Sequence, residues 1–600
     1  MNPNASRRMR VPEKSKRGIS GVLRELFSYS SALKLPMIVS LAFAAGGAVL
    51  TIIGPDVLSQ ITDLISNSLG SEIDLAAIGR LGTILLVLYA CSALLTYLEH
   101  FIMATVTLGL SRDLRQDLSR KINRVPMSYF SRVSFGELLS RVTNDVSTLQ
   151  QALANSLPSM ISSATQFVGC LVMMFATEWR MALAAILVTA LGFALMSLVM
   201  RHSQKFFIDR QVGLSTLNGY VEEMYSGHEV VRLSRANRKV KQTFGEMNRK
   251  LYDAEWSSQF FSGVMQPLMN IIGNLGYVAV CVLGSALAMS GQISFGVIIA
   301  FILYVRLFTS PLSTLAQGMT QMQTAAAAGD HVFDFLHAEE MDSEEGKRET
   351  PESVRGEVEF EHVRFSYPDH PEKTIIRDFS AHIAPGQKVA IVGPTGAGKT
   401  TLVNLLMRFF EIDGGCIKID GIPASEMKRE SVHNLFSMVL QDTWLFEGTV
   451  RENLVYNKEG VSDAQLEQAC RACGIYHFIE TLPHGFDTVL DDSVSISAGQ
   501  KQLLTIARAM IQDHPMLILD EATSSVDTRT ELIAQRAMDQ LTSSRTSFVI
   551  AHRLSTIRNA DLILVLRDGD IVEQGSHEEL LAKGGFYADL YNSQFEKAAS

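Results

Sequence analysis

The sequence predicts a multi-domain membrane protein in which a six-helix, all-α transmembrane domain with long cytoplasmic helical extensions is fused to a C-terminal α/β domain. Three observations carry that prediction. Of 600 residues, 47% are hydrophobic and 19% are charged, and the mean hydropathy is +0.15, too apolar for an ordinary soluble chain. The apolarity is concentrated before residue 337, in six runs close to the ~20 residues that cross a hydrocarbon core. Beyond residue 357, short apolar strands alternate with helical stretches, the pattern of a largely parallel sheet. The same composition excludes a disordered or fibrous chain. A net charge of −10 gives no sign of a nucleic-acid partner. Six cysteines are too few for a secreted disulfide scaffold.

The elements follow in order. Residues 1–34 form a basic tail and elbow holding Arg7, Arg8, Arg10, Lys14, Lys16 and Arg17. This is not a signal peptide, because no small-residue cleavage site follows and the apolar run is too long. Within the transmembrane domain, 35–336, spans are expected near 35–58, 78–108, 157–178, 181–201, 262–289 and 294–316. Lys and Arg crowd the tail and the loops 111–156 and 204–258, whereas 59–75 offers only Asp63, Glu72 and Asp74, and 290–293 is uncharged. The positive-inside rule therefore places both termini in the cytoplasm.

Both basic loops are long enough to need structure of their own. Apolar residues recur in them at helical spacing (Leu110, Leu114, Leu118; Val221, Met224, Tyr225), so the helices should continue tens of ångströms into the cytoplasm. Residues 337–357 are polar, acidic and broken by Pro351 and Gly356, and read as a linker. The α/β domain, 358–600, carries strands at Val389–Val392, Leu517–Leu519, Phe548–Ile550 and Leu562–Val565.

The chemistry lies at the ends of these strands. Lys388–Val392 runs into Gly393, Pro394, Thr395, Gly396, Ala397, Gly398, Lys399 and Thr400, followed by Thr401: a full match to the phosphate-binding P-loop. Its glycines let backbone N–H groups close around phosphates, and the next helix presents its N-terminus to them. ATP and Mg²⁺ are the expected ligands, with Lys399 on the β- and γ-phosphates and the Thr400 hydroxyl on Mg²⁺. The strand Met516–Asp520 ends in Asp520 and Glu521. Asp520 suits the Mg²⁺ shell and Glu521 suits accepting a proton from the attacking water. Such a pair is weak evidence alone and becomes specific behind a P-loop.

Residues 358–595 resemble the nucleotide-binding domain of ATP-binding cassette (ABC) transporters, and the six spans resemble a fused exporter half-transporter. The most specific marker is Ser495-Ile496-Ser497-Ala498-Gly499-Gln500, similar to the family signature. The resemblance implies that Tyr367 stacks on adenine and that Gln441 is the Q-loop residue, a Mg²⁺ ligand that links the site to the membrane loops. It also implies that Ser524 and Asp527 belong to the D-loop and that His552 is the switch histidine. Ser128–Asp145 looks like a coupling-helix region expected to touch the nucleotide domain near Gln441. The implied activity is an ATPase translocase exporting small hydrophobic or amphipathic compounds, drugs or lipids, across a bacterial cytoplasmic (inner) membrane. A homodimer, an exporter-fold importer and an ATP-gated regulatory membrane protein are the competing readings.

The family signature commonly has glycine where this chain has Ala498. Because the signature residues Ser497, Ala498, Gly499 and Gln500 would cap the ATP of the other subunit, that change implies a second, different half-transporter with an unaltered signature. Other residues carry bland readings beside their functional ones. Cys470 and Cys473 suit a helix face better than a metal site. Glu99, His100 and Arg306 fall in or beside spans, where ionisable groups line either a cavity or a helix interface.

Overall fold

The computed structural model describes residues 17–29, 34–68, 73–351, 353–441, 443–491, 494, 496–520, 528–543, 545–551 and 554–595. These form two compact units: one from the described parts of Met1–Arg124 and Val133–Ala338, the other from Val125–Arg132 and the described parts of Glu339–Ser600.

Among its described residues the first unit has helices and no strand. It begins with a short amphipathic helix, α1 (Gly18–Tyr29), that buries Val22 and Leu26. The helices α2 (Lys34–Asn67) and α3 (Leu75–Ile122) pack along each other. The short α4 (Met127–Arg132) interrupts the sequence but belongs to the second unit. Three further helices, α5 (Phe135–Ser140), α6 (Val146–Gln151) and α7 (Leu157–Thr177), form one rod joined by π-helical turns at Arg141–Asp145 and Ala152–Ser156. Then come α8 (Trp179–Ser226), α9 (His228–Leu233), α10 (Asn237–Met289) and α11 (Phe295–Leu336). Among the described residues, six helical stretches are long and apolar enough to cross a membrane, so the chain is a multi-pass membrane protein. The 48 residues of α3 and α8 and the 53 of α10 exceed the ~20 a bilayer needs, in agreement with helices that run on beyond it.

Apolar packing holds this unit together, with Met181, Ala182, Val280, Phe301 and Tyr304 fully buried. Polar bonds fix its ends. The Asp63 carboxylate accepts from the Gly296 N–H and the Ser294 hydroxyl, both at 2.7 Å, which ties the end of α2 to the start of α11. A Cβ on Gly296 would sit 2.2 Å from the Ser59 carbonyl oxygen, so only glycine allows that approach.

The second unit has strands β1 (Val358–Ser366), β2 (Thr374–Ile383), β3 (Lys388–Val392), β4 (Gly414–Ile419), β5 (Ile422–Pro423) and β6 (Phe436–Val439). They are followed by β7 (Gly448–Thr449), β8 (Val489–Leu490), β9 (Met516–Asp520), β10 (Thr546–Ile550), β11 (Leu562–Arg567) and β12 (Asp570–Gly575). The main sheet has the order β12-β11-β3-β10-β9-β6. Its five strands β11 to β6 run parallel, with β12 antiparallel at the edge. A second, antiparallel sheet, β2-β1-β4-β5, was not anticipated. Its strands alternate: Val358, Phe360, Val363 and Phe365 are buried while Glu361 is half-buried and His362 exposed. One-sided strands carry no continuous apolar run to announce them.

The segment expected to be a linker is clamped to this unit over its middle. The Glu344 carboxylate accepts from the Arg429 backbone N–H and guanidinium, both at 2.6 Å, and from Arg408 and Lys347 at 3.3 Å. Burial pushes the Glu344 carboxyl upward, but these N–H and cationic partners outweigh it and hold the group below its ordinary value. Arg348 forms a parallel bridge with Met427.

Candidate nucleotide site

The site grows out of the carboxyl edge of the parallel sheet, where α/β proteins place their ligands. Register aligns Ile391 of β3 with Ile550 of β10, Ile550 with Asp520 of β9, and Val439 of β6 with Leu519. The carboxyl ends of β3, β6, β9 and β10 therefore lie side by side, with the P-loop following β3, Gln441 two residues past β6 and Asp520 ending β9.

After β3 the chain turns through Gly393, whose Cβ would lie 2.3 Å from the Leu566 carbonyl oxygen. Gly398 then adopts a left-handed φ of 100° and caps helix α12 (Lys399–Leu406), a geometry that glycine reaches without strain. Lys399 is 8% exposed. Its ammonium donates to the carbonyls of Gly393 (2.8 Å) and Pro394 (3.1 Å), folding back over the loop. Burial lowers its pKa and the Asp520 charge partly restores it, with a net downward shift. Pro394, Thr395, Gly396 and Thr400 are exposed around the mouth, while Ala397 and Thr401 are buried against the sheet.

Tyr367 does more than the sequence indicates. Its hydroxyl bonds Thr401 on α12 at 2.9 Å, and its ring packs edge-on against Phe365 and Phe410 at centroid distances of 4.9 and 5.2 Å. The residue expected to stack on adenine is thus fastened to the phosphate-binding helix. Gln441, two residues past β6, is exposed, and Asp520, the last residue of β9, is half-buried. The Thr400 hydroxyl, the Gln441 amide oxygen and the Asp520 carboxylate are hard oxygen donors of the kind Mg²⁺ takes. Glu521, Ser524, Asp527, His552 and Ser495 lie outside the described residues. Glu521 follows Asp520 directly, and His552 follows the strand β10 by two positions.

The signature segment forms the start of helix Ala498–Gln512. Ser497 is its N-cap in a capping box: the Ser497 hydroxyl accepts from the Gln500 N–H at 3.2 Å, and the Gln500 side chain accepts from the Ser497 N–H at 2.9 Å. Ala498 is the first helical residue and is not among those with left-handed φ. Alanine in place of glycine therefore costs the backbone nothing, and its consequence is confined to one added methyl at the helix N-terminus.

The short helix α4, from the first basic loop, lies within this unit and bonds the residues just after Tyr367. The Ser131 hydroxyl and Arg132 guanidinium both bond the Asp369 carboxylate, and Arg132 also reaches the Pro368 carbonyl. These bonds go to the two residues directly after Tyr367; the sequence had pointed to the neighbourhood of Gln441. Asp369 was missed for lack of any motif, although an acid next to Tyr367 complements the basic tip. Cys470 and Cys473 are fully buried in an apolar cluster, the Cys473 thiol against the Met510 sulfur at 3.5 Å. Burial pushes the Cys470 thiol up to about 12, which keeps it protonated and without nucleophilic character. Glu99 is buried, with Ser40 bonded to its backbone carbonyl, while His100 is exposed.

Six apolar crossings fused to a P-loop sheet define a membrane-embedded, nucleotide-driven transport ATPase. Residues 37–312 match the ABC transporter transmembrane region and residues 376–524 match the ABC transporter family, and the chain belongs to the ABC transporter family as an exporter-type half-transporter. It is 46% identical over 87% of its length, and 82% of the relative's, to a protein of Mycobacterium bovis named fatty acid ABC transporter ATP-binding/permease protein. It is 33% identical to an ATP-dependent lipid A-core flippase of Syntrophus aciditrophicus, over 86% of this chain and 85% of that one. A probable multidrug resistance ABC transporter of Bacillus subtilis is 32% identical over 84% of this chain and 75% of its own.

Proposed function

We propose that the chain is one half of a dimeric exporter that couples ATP hydrolysis to the outward movement of lipid-like or drug-like amphiphiles across a bacterial inner membrane, with both termini cytoplasmic. The observation that carries this reading is the conjunction of six apolar crossings with Lys399, Thr400 and Asp520 at one sheet edge. The names of the three relatives, for fatty acid, lipid A core and drugs, support an amphiphilic substrate.

In this reading the P-loop from Gly393 to Thr401 binds the ATP phosphates, Tyr367 stacks on adenine, and Thr400, Gln441 and Asp520 hold Mg²⁺. When bound, Mg²⁺ offsets phosphate charge as the bond to the γ-phosphate breaks. Glu521 takes the proton of the attacking water and His552 contacts the γ-phosphate. Ser497, Ala498, Gly499 and Gln500 cap the ATP of the second half, with the D-loop residues Ser524 and Asp527 between the two sites. Because the backbone at Ala498 is unstrained, its methyl is the single feature of the signature that favours a different partner subunit with glycine there.

The test is Glu521→Gln in the purified, reconstituted protein. ATP turnover should fall by ~10²-fold or more with ATP binding retained, since a positioned base contributes about 10²–10⁴-fold. Turnover within twofold of wild type would remove Glu521 from this role.

A further inference from the structure

The exposed faces of the membrane-spanning helices differ in kind. On α3, Leu86, Leu94 and Phe101 are 67%, 56% and 62% exposed, as expected of side chains that face lipid acyl chains. Between Val297 and Ala316 of α11, the exposed residues are Arg306, Ser310, Ser313 and Ala316: no large apolar side chain is among them. The spacing of Arg306, Ser310 and Ser313 continues through Gln317, Thr320 and Thr324, all exposed, so they form one stripe at helical period. The rod of α7 and the π-helical turn before it packs against α11 and places polar residues at helical spacing: Asn155 in the turn is exposed, and Ser159, Ser162 and Gln166 of α7 are half-exposed. Between the two lies an open groove of about 440 Å³ lined in part by Asn155, Ser159, Gln317 and Gln321. The π-helical turn Ala152–Ser156 opens at the same place, and such turns recur at functional sites.

The stripe on α11 that runs out of this groove carries one charge, Arg306, eight residues before the groove residue Thr314. At ~1.5 Å per residue, Arg306 lies roughly 17 Å along α11 from Phe295, near the middle of a ~30 Å hydrocarbon core. Among the described residues its guanidinium has no ion pair and no side-chain hydrogen bond. The acids of α2 that face α11 are otherwise engaged: Asp63 with Ser294 and Gly296, and Asp56 with Gln60 at 2.9 Å. An unpaired cation at that depth is costly, and such residues mark substrate paths. Uncharged hydroxyls and amides leading to one guanidinium suit a headgroup that enters hydrated and ends on a fork of N–H donors.

We propose that the α7–α11 groove carries the headgroup of the transported amphiphile, and that Arg306 binds an oxyanion, carboxylate or phosphate, attached to an acyl chain. The inference rests on the export reading above and adds the charge of the substrate and the residue that selects it.

The test uses the full-length protein in lipid nanodiscs and three radiolabelled probes of one chain length: palmitate, 1-palmitoyl lysophosphatidate and monopalmitoyl glycerol. Wild type should bind at least one anionic probe roughly tenfold or more tighter than the neutral glyceride, and the tighter of the two identifies carboxylate or phosphate. Arg306→Gln should erase that preference while glyceride binding stays within about twofold, and Arg306→Lys should keep most of it. Retention of the preference in Arg306→Gln, or equal loss of all three probes, would overturn the proposal. Glyceride-stimulated ATP hydrolysis in Arg306→Gln would show that the export reading survives even if the anion site does not. A wild-type protein that binds none of the probes contradicts both.

Discussion

Replacing Asp369 by alanine removes two of the bonds that hold α4 in the nucleotide unit, those of Ser131 and Arg132 to its carboxylate, and leaves the one from Arg132 to the Pro368 carbonyl. Arg132 is 59% exposed and Asp369 27% exposed at the side chain, so their ion pair is worth only ~0.2–1 kcal/mol. The Ser131 hydroxyl adds a hydrogen bond to a charged acceptor, about 1 kcal/mol after solvent competition. Together these give about 1–2 kcal/mol, a roughly 5–30-fold fall in the docked population. The Ser131 and Arg132 bonds hold the Asp369 carboxyl below its ordinary value. A depressed carboxylate contributes fully above its free value of ~3.9 and loses that contribution as pH falls through the shifted one, so the contact is complete between pH 6 and 8. In proteoliposomes, Asp369→Ala should lower transport per ATP hydrolysed several-fold, equally at pH 6 and pH 8, with ATP affinity within about threefold of wild type. The pair Arg132→Asp with Asp369→Arg should recover part of the loss. Equal decline of hydrolysis and transport, or no decline in either, would refute a coupling role for this contact.

Three further outcomes are expected. Tyr367→Phe keeps the ring but deletes its bond to Thr401, and should weaken ATP binding by about 2–10-fold, measured by equilibrium titration; Tyr367→Ala should weaken it more. Glu344→Gln should lower the thermal midpoint of the nucleotide unit, by ~1–3 kcal/mol in stability; the loss is limited because Arg408 keeps Glu411 and the Met427 carbonyl. Ala498→Gly should leave ATP turnover of the assembled transporter within about twofold, since no strain is relieved, while costing the helix start up to ~1 kcal/mol; a large rise in turnover would show that the methyl obstructs the capped site.

Much of this organisation is legible in the sequence because its signals are strong and local. Six apolar runs have nowhere to go except a bilayer, and the β3 strand, its glycines and Lys399 form an uninterrupted strand-loop-helix text. Buried parallel strands such as Met516–Asp520 read as continuous apolar runs. What stayed hidden depends on pairing across long separations. The antiparallel sheet of β1, β2, β4 and β5 is half polar and is defined by partners rather than composition. The Glu344–Arg408–Arg429 clamp turns an acidic, proline-broken segment into an attached one, and no local pattern reveals which cations wait for it. The Asp369 contact likewise joins residues more than 230 positions apart. Ala498 shows the opposite limit: its identity was plain, but only the helix start shows that its backbone is relaxed.

The direct test of ATP-driven export is tracer movement in inside-out membrane vesicles containing the full-length protein. A labelled long-chain amphiphile should accumulate in the lumen only when ATP and Mg²⁺ are supplied, and Glu521→Gln should abolish that accumulation while still binding ATP. ATP-dependent depletion of the lumen, or accumulation that persists unchanged in Glu521→Gln, would contradict it.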